Sequence, residues 1–389
     1  GRQEADEANK PAEVEAIEAF LLSQAEFRHN VITHHCEIRW TEEAGFLPLT
    51  DRDVNTLWGR MNKTVGRVYL TDIYNVIHSE FVPLFNPFQS YFDHLPSWDG
   101  VSDPIGDLAD TVHVKSDQAE FRDYFRKWFV GILPALLDDT VVNHEILVLI
   151  GEQGLYKTTW FNFLLPPELR CYFYTKTNSD RLNKDDLFSL TEFALICFEE
   201  LDGMRPAELN QLKAMVTMPY VNERAAYGRN KERHPHIASF CGTGNNVQFL
   251  TDPTGNRRWL PFEVSQIRDP HQHAIPYELV YSQAYALWKS GFCHWFSQEE
   301  IRKLNMHNSR FEVPNLEEDL IRTHFRKPFE GETGIFVTAA DILEQISSCL
   351  RYPLSPNKIG RIMAGLEFES IRDKGKRGYI TVKKTGEDI

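Results

Sequence analysis

Four short, largely apolar runs dominate the middle of this chain: residues 146–150, 193–198, 237–241 and 259–264. Each has the length of a strand buried on both faces, and polar or helical stretches separate them. Such runs demand a sheet covered on both sides by helices, which makes the centre of the chain α/β. With 389 residues, the chain has room for two or three domains around buried cores.

Three regions separate by pattern. Residues 1–140 read as a mainly helical region, with apolar residues at helical spacing over 13–27 and an aromatic-rich helix over 119–137. Residues 141–305 hold the strand runs. Residues 306–389 predict a helix over 317–325, a short strand at 336–338, and helices over 339–347 and 355–366. Two strand-like pieces then flank the basic turn at 373–378, an order that matches a winged helix. The chain begins at Gly1 rather than Met, as a piece of a longer protein or a processed one would.

The first apolar run leads into Gly151-Glu152-Gln153-Gly154-Leu155-Tyr156-Lys157-Thr158-Thr159, where a helix is expected to start. Backbone N–H groups at such a start suit phosphate oxygens. Lys157 would reach the β- and γ-phosphates, and the Thr158 hydroxyl would ligate Mg²⁺. Tyr156 stands where loops of this kind carry glycine, and its Cβ either crowds the phosphates or resists the backbone angles. An ordinary strand–turn–helix corner with an exposed lysine fits the same residues.

Later segments bear on that choice. The second run ends in Glu199-Glu200, two carboxylates that can divide labour: one holding Mg²⁺ through water, the other polarising the attacking water. The third ends in Cys241-Gly242-Thr243-Gly244-Asn245, whose amide suits a water-orienting sensor or a plain Asn-rich turn. Arg257 and Arg258 precede the fourth run, placed either to stabilise charge on a γ-phosphate or to form a surface ion pair.

Taken in order, Gly151…Lys157-Thr158, Glu199-Glu200-Leu201-Asp202, Gly242-Thr243-Gly244-Asn245 and Phe249 to Pro261 resemble the virulence-associated protein E (VapE) family. Its ATPase core is similar to superfamily III helicases of phages and mobile elements. The resemblance runs over roughly residues 80–265, and the last segment is its most specific part. It implies a P-loop (ASCE/AAA+-like) ATPase core, a homo-oligomeric ring that moves along DNA, and a replication primase alongside or upstream. Carried over, Gly151, Gly154, Tyr156, Lys157, Thr158 and Thr159 hold ATP, and Thr158 and Glu199 hold Mg²⁺. Glu199 and Glu200 are then the catalytic carboxylates, Asn245 the sensor, and Arg257 or Arg258 the finger.

The formal net charge of −14 excludes a surface coated with nucleic acid but leaves room for a local basic groove. Two places qualify as contacts to single-stranded or forked DNA. One is the segment with Lys213, Arg224 and Arg229, interleaved with Tyr220 and Tyr227, where ion pairs with nearby glutamates are the alternative. The other is the C-terminal turn with Lys374, Lys376 and Arg377, which suits protein docking too. The six scattered cysteines make no CxxC pair, and no apolar run is long enough to span a bilayer, so a reducing cytoplasm is expected. His34-His35-Cys36 lacks a second ligand pair, and no metal is assigned there. Two functional classes stay open. One is an Mg²⁺-dependent NTPase of mobile-element replication or phage conflict; the other is a DNA-binding protein with a non-hydrolysing nucleotide switch.

Overall fold

A computed structural model of the chain describes residues 13–177, 184–223, 232–251, 256–313, 316–329, 331–347 and 355–384. The fold is mixed α/β with several sheets, and it divides after Phe311 into two compact units.

The first unit opens with a small layer of its own. Strands β1 (Ala25–Asn30), β2 (His35–Trp40), β3 (Leu47–Pro48) and β4 (Leu84–Phe85) form a sheet in the order β3-β2-β1-β4. Helices Val14–Gln24, Asp51–Thr64 and Leu70–Ile77 pack on it through Leu21, Leu57, Met61 and Ile73. Thr50 starts the second helix in a reciprocal cap: Asp53 N donates to Thr50 Oγ1 and Thr50 N to Asp53 Oδ2. This sheet is an addition to the mainly helical region that the sequence suggests. Its two longer strands mix charged with apolar residues, and the other two are two residues long.

Eight further strands follow: β5 (Val112–Val114), β6 (Ile146–Ile150), β7 (Phe173–Lys176), β8 (Leu195–Phe198), β9 (Tyr220–Glu223), β10 (Glu232–Pro235), β11 (Ser239–Gly244) and β12 (Trp259–Ile267). Six of them form the central sheet in the order β5-β12-β6-β11-β8-β7, parallel throughout except for β5. The apolar runs are its four inner strands. Side chains of β6 alternate between two cores, Leu147 and Leu149 on one face and Ile146, Val148 and Ile150 on the other. That two-sided burial is why the strand reads as unbroken apolar sequence.

Helix Gln118–Leu137 covers the first face, burying Phe121, Phe125, Trp128 and Phe129 completely. It shares its core with the sheet, and Ile32 of the N-terminal layer reaches into that same core. Trp128 Nε1 donates to the Phe240 carbonyl of β11 at 2.9 Å, tying helix to sheet. Helix Pro206–Val216 covers the opposite face through Leu209, Leu212 and Val216.

The second unit holds helix Leu316–His324, β13 (Phe325–Arg326), β14 (Ile335–Thr338), and helices Ala339–Ser347 and Pro356–Gly365. It closes with β15 (Ser370–Asp373) and β16 (Lys376–Lys383), paired as a hairpin with Asp373 opposite Lys376. Lys374 and Gly375 both take positive φ, 47° and 81°, as a tight hairpin turn of this hand requires. Among the described residues, no helix is long and apolar enough to cross a membrane.

Candidate functional site at the C-terminal edge of the central sheet

In the strand order, β6 is flanked by β12 on one side and β11 on the other, so the direction of crossover reverses at β6. A crevice opens beyond the carboxyl end of a strand in that position. Here it measures about 360 Å³, and its lining includes Gly154, Tyr156, Lys157, Thr158, Thr159, Glu199, Glu200, Thr243, Gly244 and Asn245.

Beyond β6 the chain runs through a tight loop into helix Lys157–Phe163. Gly151 must be glycine, because a Cβ there would lie 2.9 Å from the backbone oxygen of Val264. Gly154 has φ of 84°. Trp160 anchors the helix, fully buried and donating from Nε1 to Thr111 Oγ1 at 2.8 Å.

Tyr156 takes φ 59° and ψ 20°, the left-handed conformation that glycine adopts without cost. Its side chain is 41% exposed at the edge of the crevice. The backbone angles are therefore met, at a strain of about 1–2 kcal/mol. Tyr156→Gly should raise the unfolding free energy by about 1 kcal/mol in urea titrations. A loss of stability would show that the tyrosine ring holds the loop in place.

Lys157 is 8% exposed and folds back over its own loop. Its Nζ donates to the carbonyls of Gly151 (2.6 Å) and Glu152 (2.7 Å) and lies 3.4 Å from Asn245 Oδ1. Burial pushes its pKa below the ordinary lysine range, and the Asp202 carboxylate opposes that shift. The partners of this ammonium are neutral oxygens, so an anion entering the crevice would compete well for it.

Thr158 Oγ1 donates to Glu199 Oε1 at 2.7 Å. Hard oxygen donors brought together in this way fit a small divalent cation such as Mg²⁺. Glu200, at φ 55° and ψ 45°, turns the chain away into the short helical turn Leu201–Gly203.

Asp202 escaped the sequence reading as a site residue. Its Oδ1 and Oδ2 accept the backbone N–H groups of Asn245 (3.2 Å) and Asn246 (3.0 Å), clasping the end of β11 to the acidic turn. Glycine at 242 and 244 permits the approach. A Cβ at Gly242 would clash with Leu201 Cδ1, and one at Gly244 would meet Asp202 Oδ1 at 3.0 Å. The signal available in sequence was the alternating Gly242-Thr243-Gly244, which marks a close approach.

The arginines lie elsewhere. Parallel register pairs Trp259 with Ile146 and Glu263 with Ile150. Arg257 and Arg258 thus sit at the amino end of β12, with roughly 13 Å of strand between their level and the crevice. Arg257 is exposed. Arg258 is half-buried, its pKa lowered by burial and then by Arg257, while Glu145 acts in the other direction.

Lys213 is only 8% exposed, inside helix Pro206–Val216. Arg224 and Arg229 lie outside the described residues, between the paired strands β9 and β10. Lys374, Lys376 and Arg377 are exposed on the hairpin of the second unit, where Arg377 Nε donates to Ser370 Oγ at 2.7 Å.

These features define a mixed α/β protein with a crevice at the reversal of its parallel sheet, equipped with a buried lysine and a hydroxyl–carboxylate pair. The chain belongs to the virulence-associated protein E-like domain family, whose profile matches residues 93–313. Solved structures of the NrS-1 C-terminal region are similar to it. The apo structure is 12% identical with a TM-score of 0.48, covering 95% of this chain and 98% of that one. One A form apo structure gives 12%, 0.47, 95% and 98%, and another 11%, 0.48, 95% and 99%. No curated protein matches the chain.

Proposed function

We propose that this chain is an Mg²⁺-dependent ATPase with a P-loop core of the ASCE/AAA+-like type. On this reading it acts on single-stranded or forked DNA as a ring-forming, superfamily III-like helicase or translocase in phage or mobile-element replication, with a primase as partner. The observation that carries the reading is the convergence of Lys157, the Thr158–Glu199 pair and Asn245 in one crevice. The strand order supports it, since β11 inserts between the phosphate-loop strand and the acidic strand and sets Asn245 between them.

In this reading Lys157 leaves the Gly151 and Glu152 carbonyls for the terminal phosphates. Thr158 and Glu199 would hold Mg²⁺, which neutralises phosphate charge when bound. Glu200 accepts a hydrogen bond from the attacking water, and Asn245 orients that water. Arg257 and Arg258 lie at the far end of β12 from their own crevice, so a finger role needs the nucleotide of a neighbouring subunit. The test is ATP hydrolysis by the full chain with and without single-stranded DNA. Absence of hydrolysis on every DNA form, with Mg²⁺ present, sinks the proposal.

The second unit is assigned as a winged helix that grips phosphate through its hairpin. Changing Lys374, Lys376 and Arg377 together to alanine should weaken DNA binding for all sequences alike. The slope of log affinity against log salt should fall by about 0.7 for each single-strand phosphate that the hairpin no longer neutralises. An unchanged slope would assign the hairpin to protein docking.

A further inference from the structure

One short segment, residues 308–311, grips the turn that carries the arginine pair and also binds Phe249 and Leu250. Asn308, the last residue of helix Gln298–Asn308, is fully buried. Its Nδ2 donates to the carbonyls of Asn256 at 2.8 Å and Trp259 at 3.1 Å, the residues that bracket Arg257-Arg258. Three positions on, the Phe311 carbonyl accepts from the backbone of Phe249 and of Leu250, each at 3.0 Å, where the chain leads towards that turn. The Phe311 ring is buried in the same core as Phe249, Leu250 and Trp259. Phe249 and Leu250 are therefore held at one point of this segment, and the turn Asn256–Arg258 is gripped at another by one amide group that reaches its first residue and the residue that follows the turn.

The two arginines differ in what this grip does to them. Arg258 points into the fold, half-buried and within electrostatic reach of Glu145 at the start of β6. Arg257 stands outward at the crest of the turn. The direction in which Arg257 leaves the subunit is set by the short turn beneath it, and that turn has Asn308 as its clasp. A misplacement of about 1 Å in a group that stabilises a transition state costs about 10²-fold in rate.

We propose that Asn308 is a positioning residue for Arg257, which reaches the nucleotide of a neighbouring subunit, while Arg258 braces the turn. The proposal rests on the ring-ATPase reading above. It goes beyond that reading by separating the two arginines and adding a residue far from the crevice in sequence.

The experiment compares hydrolysis by Arg257→Ala, Asn308→Ala and the double variant with wild type, together with binding of a fluorescent ATP analogue and thermal melting. Arg257→Ala should lose about 10³-fold or more in kcat. Asn308→Ala should lose about 10²-fold, with analogue affinity within about threefold of wild type in both. The double variant should be no slower than Arg257→Ala, because both changes remove one function. Mixing Asn308→Ala with Lys157→Ala subunits should restore hydrolysis, since the intact crevice of one meets the well-placed Arg257 of the other. A defect confined to the folding of each subunit would not be rescued this way. If the alanine variant melts too low to assay, Asn308→Ser, which keeps one donor, serves in the same cycle.

Three results overturn the proposal: Asn308 variants hydrolysing at the wild-type rate while Arg257→Ala does not, losses that multiply independently, or no rescue on mixing. Arg257→Ala as active as wild type overturns it as well, while a wild type that hydrolyses no ATP defeats the ring-ATPase reading itself and this proposal with it.

Discussion

Replacing Lys157 by alanine is expected to lower ATP hydrolysis by about 10²–10³-fold, as removal of a charge-stabilising donor does in other sites. Nucleotide affinity should fall along with it. Fold stability should hardly move. The side chain gives up hydrogen bonds to the Gly151 and Glu152 carbonyls, but a desolvated ammonium is removed at the same time. Glu200→Gln offers the contrast. It keeps the shape of the side chain at its left-handed position and removes the charge. It should bind nucleotide like wild type and fail to hydrolyse it. Steady-state hydrolysis measured beside equilibrium binding separates the two, and a Lys157→Ala variant with wild-type turnover would refute the assignment of the crevice.

The largest loss of stability is expected from Trp128→Ala, about 3–5 kcal/mol by urea denaturation. Trp128 is fully buried in the middle of helix Gln118–Leu137 and is among the largest side chains in the core. Its removal leaves a cavity between helix and sheet, and it strips the Phe240 carbonyl of the indole donor. The effect should extend to the crevice. Phe240 lies in β11, whose far end presents Thr243, Gly244 and Asn245 to the site. A loss under about 1 kcal/mol would mean that the helix repacks or that it contributes little to holding the sheet.

Much of this was legible in sequence because the informative parts are local. Strands β6, β8, β11 and β12 are buried on both faces, so each is written as a nearly continuous apolar run. Polar residues at their carboxyl ends then mark where a site can form. Glu199 and Asn245 follow directly from that rule, and Lys157 and Thr158 from the glycine-bearing loop that leads from β6 into a helix. Strand β7 did not, because Phe-Tyr-Thr-Lys lies at the sheet edge with three of its four residues only partly buried. The small N-terminal sheet was hidden for a similar reason.

What the sequence withheld depends on strand register and on contacts between distant residues. Arg257 and Arg258 fall in the same matched family region as the crevice residues, yet parallel pairing carries them to the opposite edge. Lys213 looks like a channel cation by composition and is buried by its place on the helix. Asn308 carries no motif, and Asp202 sits in one without a role assigned to it. Their meaning lies in backbone groups 43 and 52 residues away. Tyr156 is a case where sequence posed the right question. Of the two concerns, crowding of phosphates and resistance to the backbone angles, the second needed the observed angles, which lie in the left-handed region.

The opposed placement of lysine and arginine along the central sheet has a consequence for assembly. Under the proposed function, the surface presenting the crevice and the surface presenting Arg257 are different patches, each lacking what the other supplies. Two copies related by a two-fold axis would bring like patches together, crevice to crevice or arginine to arginine. Productive contact would be head-to-tail, and such contacts propagate from copy to copy, closing a circle where the accumulated rotation allows. An open row always leaves one crevice without an arginine and one arginine without a crevice. If the proposed function holds, closure alone would remove both vacancies, and polarity within a single sheet would then favour a ring over a pair.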